Sequence, residues 1–209
     1  MPDGRFISLE GGEGVGKTTQ LRALATELGK RGIEVVTTRE PGGSPGAEAI
    51  RGLLLSGEDG RWSPRAEALL FAAARADHVE KTIRPALDAG KWVISDRFLD
   101  SSLAYQGGGT DLGVDAVRGL HRFGSAGFLP DRTLVLLLPD RAGVARANER
   151  DGDEPDRIGR RDADYHLAVD RAFRALGAEE PERVRLVDAS GEQRQVTERL
   201  LAELADLLP

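Results

Sequence analysis

The stretch Gly11-Gly12-Glu13-Gly14-Val15-Gly16-Lys17-Thr18 constrains this chain more than any other. It matches G-x-x-x-x-G-K-[ST], a loop that curls back on itself and aims successive backbone N–H groups at phosphate oxygens. The flanks agree: Arg5-Phe-Ile-Ser-Leu9 reads as a short buried strand, and a helical pattern begins at about Lys17. Glycine is expected at Gly11 and Gly16 because a Cβ would clash or block the phosphate. The positive end of the following helix adds to the anion site. Lys17 supplies a point charge for the β- and γ-phosphates, and Thr18 offers a hydroxyl to Mg²⁺. With Thr19, these residues form the expected cradle for a nucleoside triphosphate. A Gly-rich turn before an ordinary helix would not need all the fixed positions and both flanks.

The rest of the chain alternates strand and helix patterns. Leu21, Leu24, Ala25 and Leu28 recur at helical spacing, and 33–38 reads as a second strand ending at the polar turn Arg39-Glu40-Pro41-Gly42-Gly43. Helices are expected at 47–55 and 64–89, the latter with Leu69, Ala73, Ala76, Ile83 and Leu87 near one apolar stripe. A third strand, 92–95, runs into Asp96-Arg97. A helix at 112–126, a strand at 133–138, a helix at 141–149, a helix ending near 177, a strand at 184–187 and a final helix follow. This order predicts an α/β fold with a parallel sheet covered by helices on both faces. The 209 residues are expected to form one domain, with 150–164, rich in charge, Gly and Pro, as its mobile insertion.

Three features suggest chemistry beyond the loop. Asp96 at a strand's carboxyl end can hold Mg²⁺, and Arg97 beside it suits a second phosphorylated ligand; the plainer reading is a surface ion pair. Phe71 and Arg75, four apart on a helix, could grip a flat base together, or could be a core ring and a solvated arginine. The 150–164 stretch is either a solvated loop or a closing lid that brings an arginine to the transferring phosphoryl group. The sequence has no cysteine, which excludes disulfides and thiolate chemistry, and its three histidines lack ligand spacing. A formal net charge of -6 argues against broad nucleic-acid binding. No apolar signal segment or membrane-length run is present, so no membrane role and a cytoplasmic location are expected.

Four motifs in order resemble the thymidylate kinase family: 6–20, Thr-Arg-Glu-Pro-Gly-Gly (38–43), Leu-Leu-Phe-Ala-Ala-Ala-Arg (69–75) and Ser-Asp-Arg-Phe-Leu-Asp-Ser-Ser-Leu-Ala-Tyr-Gln-Gly (95–107). The resemblance spans essentially the whole chain. It implies a P-loop NTPase fold of the nucleoside monophosphate kinase type with a five-stranded parallel sheet, ATP and Mg²⁺ as cofactors, dTMP as acceptor, and a homodimer. It also implies residue roles. Phe71 stacks on thymine and Arg75 bonds its C4 carbonyl; Arg97, with Arg39 or Arg51, holds the dTMP phosphate. Ser102 and Gln106 line the base pocket, Tyr105 crowds the sugar 2′ position, and Glu40 faces the nucleoside. Lys17, Arg97, Asp96 and a lid arginine serve catalysis, with Thr18 and Asp96 toward the metal. Glu13 and Val15 within the loop match the bacterial type, which draws its catalytic arginine from the lid. Asp156-Arg157-Ile158 resembles that lid, and Arg150 is the expected finger, with Arg146 next. The stretch between Arg150 and Arg157 is longer and more acidic than the family pattern. Rival readings are a kinase for another monophosphate and a nucleotide-dependent switch, which would need neither Arg97, Phe71 nor Arg75.

Overall fold

The computed structural model describes residues 4–58, 60–138 and 157–209. Five strands, β1 (Phe6–Glu10), β2 (Val35–Arg39), β3 (Trp92–Asp96), β4 (Arg132–Leu137) and β5 (Val184–Asp188), form one parallel sheet in the order β2-β3-β1-β4-β5. The three inner strands are largely buried apolar runs, whereas the edge strands β2 (Val-Val-Thr-Thr-Arg) and β5 (Val-Arg-Leu-Val-Asp) are mixed; all five lie where strands were expected, with ends shifted by a residue or two. β1 pairs with β3 on one side and β4 on the other. The chain therefore leaves β1 toward one edge of the sheet and later returns to build the opposite edge. Such a reversal opens a crevice at the carboxyl ends of the strands, where ligands bind in open α/β sheets.

Alternation along the strands sorts the core. Phe6, Val93 and Val135 point to one face, against Val79, Ile83, Phe98, Leu103 and Phe173. Ile7, Leu9, Ile94, Leu134 and Leu136 point to the other, where Leu21, Leu24 and Leu28 of α1 (Lys17–Lys30) meet them. Both faces of the sheet are thus covered.

Several helices begin on local signals. Ser44 and Ser63 each precede a proline and accept a hydrogen bond from the N–H three residues on, starting α2 (Pro45–Leu55) and α3 (Pro64–His78). The helix expected across 64–89 is continuous but not uniform: α3 passes through a π-helical segment, Val79–Ile83, into α4 (Arg84–Asp88). The widened turn sits just ahead of Pro85, which has no N–H to give to the preceding turn. The apolar stripe expected there is only partly buried. Ile83 is core, whereas Ala73 is exposed and Leu69 is 56% exposed.

One element was not expected. Residues 99–108 form α5 (Leu99–Ser102) and a second π-helical segment, Leu103–Gly108, almost wholly buried. Beyond it lie α6 (Val114–Gly124), α7 (Ala163–Glu179) and α8 (Gln193–Ala202). The helix expected at 141–149 and the first part of the expected lid, 150–156, lie outside the described residues. Among the described residues no helix is long and apolar enough to cross a membrane.

Candidate functional site

The carboxyl ends of β1, β2 and β3 meet because their registers align Leu9 with Asp96 and Arg39 with Asp96. A cavity of about 740 Å³ opens there. Of the expected residues, Glu13, Gly14, Gly16, Lys17, Thr18, Arg39, Glu40, Arg51, Phe71, Arg75, Asp96, Arg97, Ser102, Tyr105 and Gln106 all line it. Gly11, Gly12, Val15 and Thr19 belong to the loop and its helix but do not line the cavity. Arg150 lies outside the described residues, as does Arg146.

The loop's two key glycines are needed for different reasons. At Gly11, with φ 128°, a Cβ would run into the Leu136 carbonyl of β4. At Gly16 a Cβ would meet no atom of the described residues, so the expected clash is absent among them; the requirement there is φ 95°, which side chains disfavour. Lys17 is buried and folds its ammonium onto the loop, donating to the Gly12 carbonyl at 2.7 Å and the Gly11 carbonyl at 3.2 Å. Burial, then the nearby Arg97 charge, pulls its pKa down, against the opposing pull of Glu13, Asp96 and Glu10. Thr18 Oγ1 donates to Asp96 Oδ2 at 2.8 Å, which puts two hard oxygen donors side by side at the loop's end.

Arg97 holds φ 71°, unusual for a side-chain-bearing residue, and such strain is characteristic of functional positions. Its guanidinium donates to the Gly11 carbonyl at 3.0 Å, to Ser101 Oγ at 3.1 Å and to Tyr105 Oη at 3.2 Å, and pairs with the Glu13 carboxylate. Burial works against its charge, but Glu13, Tyr105, Asp96 and Glu10 together outweigh that and push its pKa further up. Glu13 in turn is held at about 2, chiefly by Arg97. Burial pushes the Tyr105 hydroxyl up. Arg97 is therefore no surface ion pair; it is a fixed cation seated between the phosphate loop and the opposite wall.

That opposite wall is built from side chains. Arg75 is 3% exposed, so the solvated alternative is ruled out. Its Nε donates to Glu40 Oε2 at 2.8 Å, and its Nη2 donates to Ser102 Oγ at 2.7 Å and to the Phe98 carbonyl at 3.1 Å. The remaining Nη1 makes no hydrogen bond among the described residues. Phe71, one turn earlier and half-buried, packs at the edge of the core and lines the cavity beside it. Glu40 is buried between Arg75 and His78, whose Nδ1 lies 3.0 Å from Oε1, and His78 Nε2 meets Thr38 Oγ1 at 2.7 Å. Glu40 thus lines the cavity as an acid already paired with Arg75 and His78. Arg39 is paired with Glu48, and Arg51 donates to the Pro41 carbonyl at 2.7 Å.

Residues 9–200 match the family model described as thymidylate kinase. This chain belongs to the thymidylate kinase family. A thymidylate kinase from Rhizorhabdus wittichii is 60% identical over 209 residues, 100% of each chain. Another, from Rhodopseudomonas palustris (strain TIE-1), is 48% identical over 200 residues, covering 94% of this chain and 86% of that protein. The crystal structure of thymidylate kinase from Ehrlichia chaffeensis matches with a TM-score of 0.80 at 29% identity, across 97% of this chain and 100% of that one. The thymidylate kinase resemblance drawn from four motifs is borne out, and with it a nucleotide-binding phosphotransferase on the nucleoside monophosphate kinase fold.

Sequence reasoning passed over Glu67, His78, Ser101 and Ile158 as contributors to this thymidylate kinase site. A signal existed for the first two: Glu67, Phe71, Arg75 and His78 follow one another at spacings of four, four and three, which stacks them on one helix face. Ser101 and Ile158 carried no such periodicity.

Proposed function

We propose that this cavity transfers the γ-phosphoryl of ATP to the 5′-phosphate of dTMP, giving dTDP and ADP, with the residues dividing the work as follows. The loop amides, Gly11 through Thr19, and Lys17 hold the donor phosphates. Thr18 and Asp96, already 2.8 Å apart, are the groups that would hold Mg²⁺, which when bound neutralises charge on the phosphate oxygens. Arg97 holds the acceptor phosphate, with Arg39 or Arg51 assisting. A phosphate arriving there competes with Glu13 for the same guanidinium, and Glu13 can yield because its side chain is 45% exposed. Phe71 stacks on the thymine, the Nη1 of Arg75 reaches its carbonyl, Ser102 and Gln106 line the pocket, and Tyr105 crowds the sugar. Glu40 serves by holding Arg75.

The acceptor oxygen is already anionic, so no strong base is needed; placement and charge neutralisation carry the reaction. The observation that supports this most is Arg97 itself, a strained, half-buried cation within hydrogen-bonding distance of the donor loop. Residues 1–209 act as one domain with a lid at about 150–164, from which Arg150 reaches the phosphoryl group. Support for choosing Arg150 over Arg157 is that the Arg157 side chain, 2% exposed, is already committed to Glu67 and the Leu54 carbonyl. Arg150→Ala should therefore cut kcat more than Arg157→Ala in a coupled ADP-release assay, and the reverse ranking overturns the assignment.

A homodimer is proposed, with α3 and α6, which adjoin and carry the exposed Leu69, Ala73 and Phe123, the last 94% exposed, as its surface. The protein is proposed to act in the cytoplasm, without nucleic-acid partners. The reading as a whole is tested by presenting dTMP, dUMP, UMP, dCMP, dGMP and thymidine with ATP. Preference for dTMP is expected; preference for thymidine or a ribonucleotide overturns it.

A further inference from the structure

One carboxylate outside the roles above gathers three elements of the acceptor pocket. Glu67, on α3 and 1% exposed, accepts from Arg157 Nη2 at 2.5 Å and Arg161 Nη2 at 2.7 Å on one oxygen. Its other oxygen accepts from Arg161 Nη2 at 3.0 Å and from Gln106 Nε2 at 3.0 Å. We propose that Glu67 is a positioning residue for dTMP binding: it clamps residues 157–161 onto the acceptor pocket, making Ile158 part of the wall, and fixes the orientation of Gln106.

The geometry follows from three constraints. Glu67 lies one turn before Phe71 and two before Arg75 on the same helix face, so whatever it holds is held beside the base-gripping pair. Between Arg157 and Arg161 sits Ile158, 8% exposed, in the same apolar cluster as Phe71 and Tyr105, and it lines the cavity with them. Two guanidiniums this close repel, and the shared carboxylate holds them together; a neutral side chain at 67 would leave a buried cation, Arg157, facing the half-buried Arg161 without a counter-charge. Arg161 also lies over the Tyr165 ring at 4.5 Å, and Tyr165 Oη donates to the Tyr105 carbonyl at 3.0 Å, a second strut to the same wall. A carboxylate can only accept, so the Gln106 amide must turn its NH₂ toward Glu67. Its carbonyl end is then fixed in a residue that lines the pocket. None of these contacts touches the phosphate loop, so the effect is directed at the acceptor and not the donor.

The inference rests on dTMP occupying this pocket, and the test separates the two. Wild type and Glu67→Gln are compared with dTMP and ATP varied independently, folding being monitored by thermal melts. We expect the KM for dTMP to rise roughly tenfold or more and the KM for ATP to stay within about twofold. Glu67→Asp, which keeps the charge, should fall between the two. If both KM values rise together, or the KM for dTMP moves less than about twofold in a folded variant, the proposal is wrong. Should Glu67→Gln not fold, Arg161→Ala on the more exposed partner decides: a rise of about threefold in the KM for dTMP supports the clamp, and no rise overturns it. A wild type inert toward dTMP would instead sink the acceptor assignment.

Discussion

At the donor end of the cavity, the phosphate loop closes on itself: Lys17 Nζ donates to carbonyls five and six residues away, the anion-binding groups are loop amides, and Asp96 and Arg97 reach it from afar. At the acceptor end partners are far apart: Arg75 reaches Glu40 across 35 residues, Gln106 reaches Glu67 across 39, and Arg157 reaches it across 90. The donor end is therefore set by local backbone geometry, which a short glycine-spaced motif encodes. The proposed acceptor end exists only once the sheet and helices have assembled, and buried charged pairs hold its wall together. Damage at the first should cost turnover and little stability; damage at the second should cost both.

The largest effect is expected for Lys17→Ala, which removes the loop's positive side-chain charge. Transfer should be abolished in a coupled assay while the thermal melt stays close to wild type, and a large loss of stability would break the contrast. Next is Arg97→Ala, for which dTMP turnover should fall on the order of 10²–10³-fold, as when a preorganised electrostatic contact is lost. Calorimetric ATP binding should persist; retained turnover would remove Arg97 from its assigned role. Arg75→Ala sharpens the comparison from the other side. It leaves Glu40 buried without its guanidinium, so unfolding should become about 3–5 kcal/mol easier, together with a raised KM for dTMP. A variant as stable as wild type would show that the buried pair is not what holds the acceptor wall.

The smallest effect concerns the joint between the two ends. Glu10, fully buried, accepts from the Phe98 N–H at 2.7 Å and from Ser101 Oγ, and Ser101 in turn accepts from Arg97. Burial, then the Asp100 carboxylate, pushes its pKa up to about 8. Above the ordinary carboxyl range and below about pH 8, the folded chain holds a proton that the unfolded chain has released. The stability this group contributes is thus full in acid and is lost as pH rises through about 8. Glu10→Gln cannot titrate, so its melting temperature should gain on wild type between about pH 5 and about pH 9. A constant difference across that range would contradict the sign.

What the sequence made legible follows the same divide. The inner strands announced themselves because buried parallel strands are near-continuous apolar runs, the edge strands β2 and β5 through their short valine-containing stretches between turn residues, and the phosphate loop because its glycines serve backbone needs at fixed spacing. Residues 99–108 did not read as helix: Ser101-Ser102 and the glycines after Gln106 look like loop, and the π-helical winding breaks the usual period. Leu69 looked like core because spacing gives a stripe but not what faces it. The long-range pairs of Glu40 and Glu67 had no signature in spacing between partners; only the helix face that Glu67 shares with Phe71 and Arg75 hinted at its role.

The central claim is that one cavity holds two phosphorylated ligands, one on a backbone loop and one on a side-chain wall. A crystal structure with dTMP and a non-hydrolysable ATP analogue tests it most directly. The account predicts the pyrimidine against Phe71 and its 5′-phosphate on Arg97, facing the analogue's terminal phosphate above Lys17. A pyrimidine remote from Phe71, or a dTMP phosphate bound away from Arg97, would contradict it.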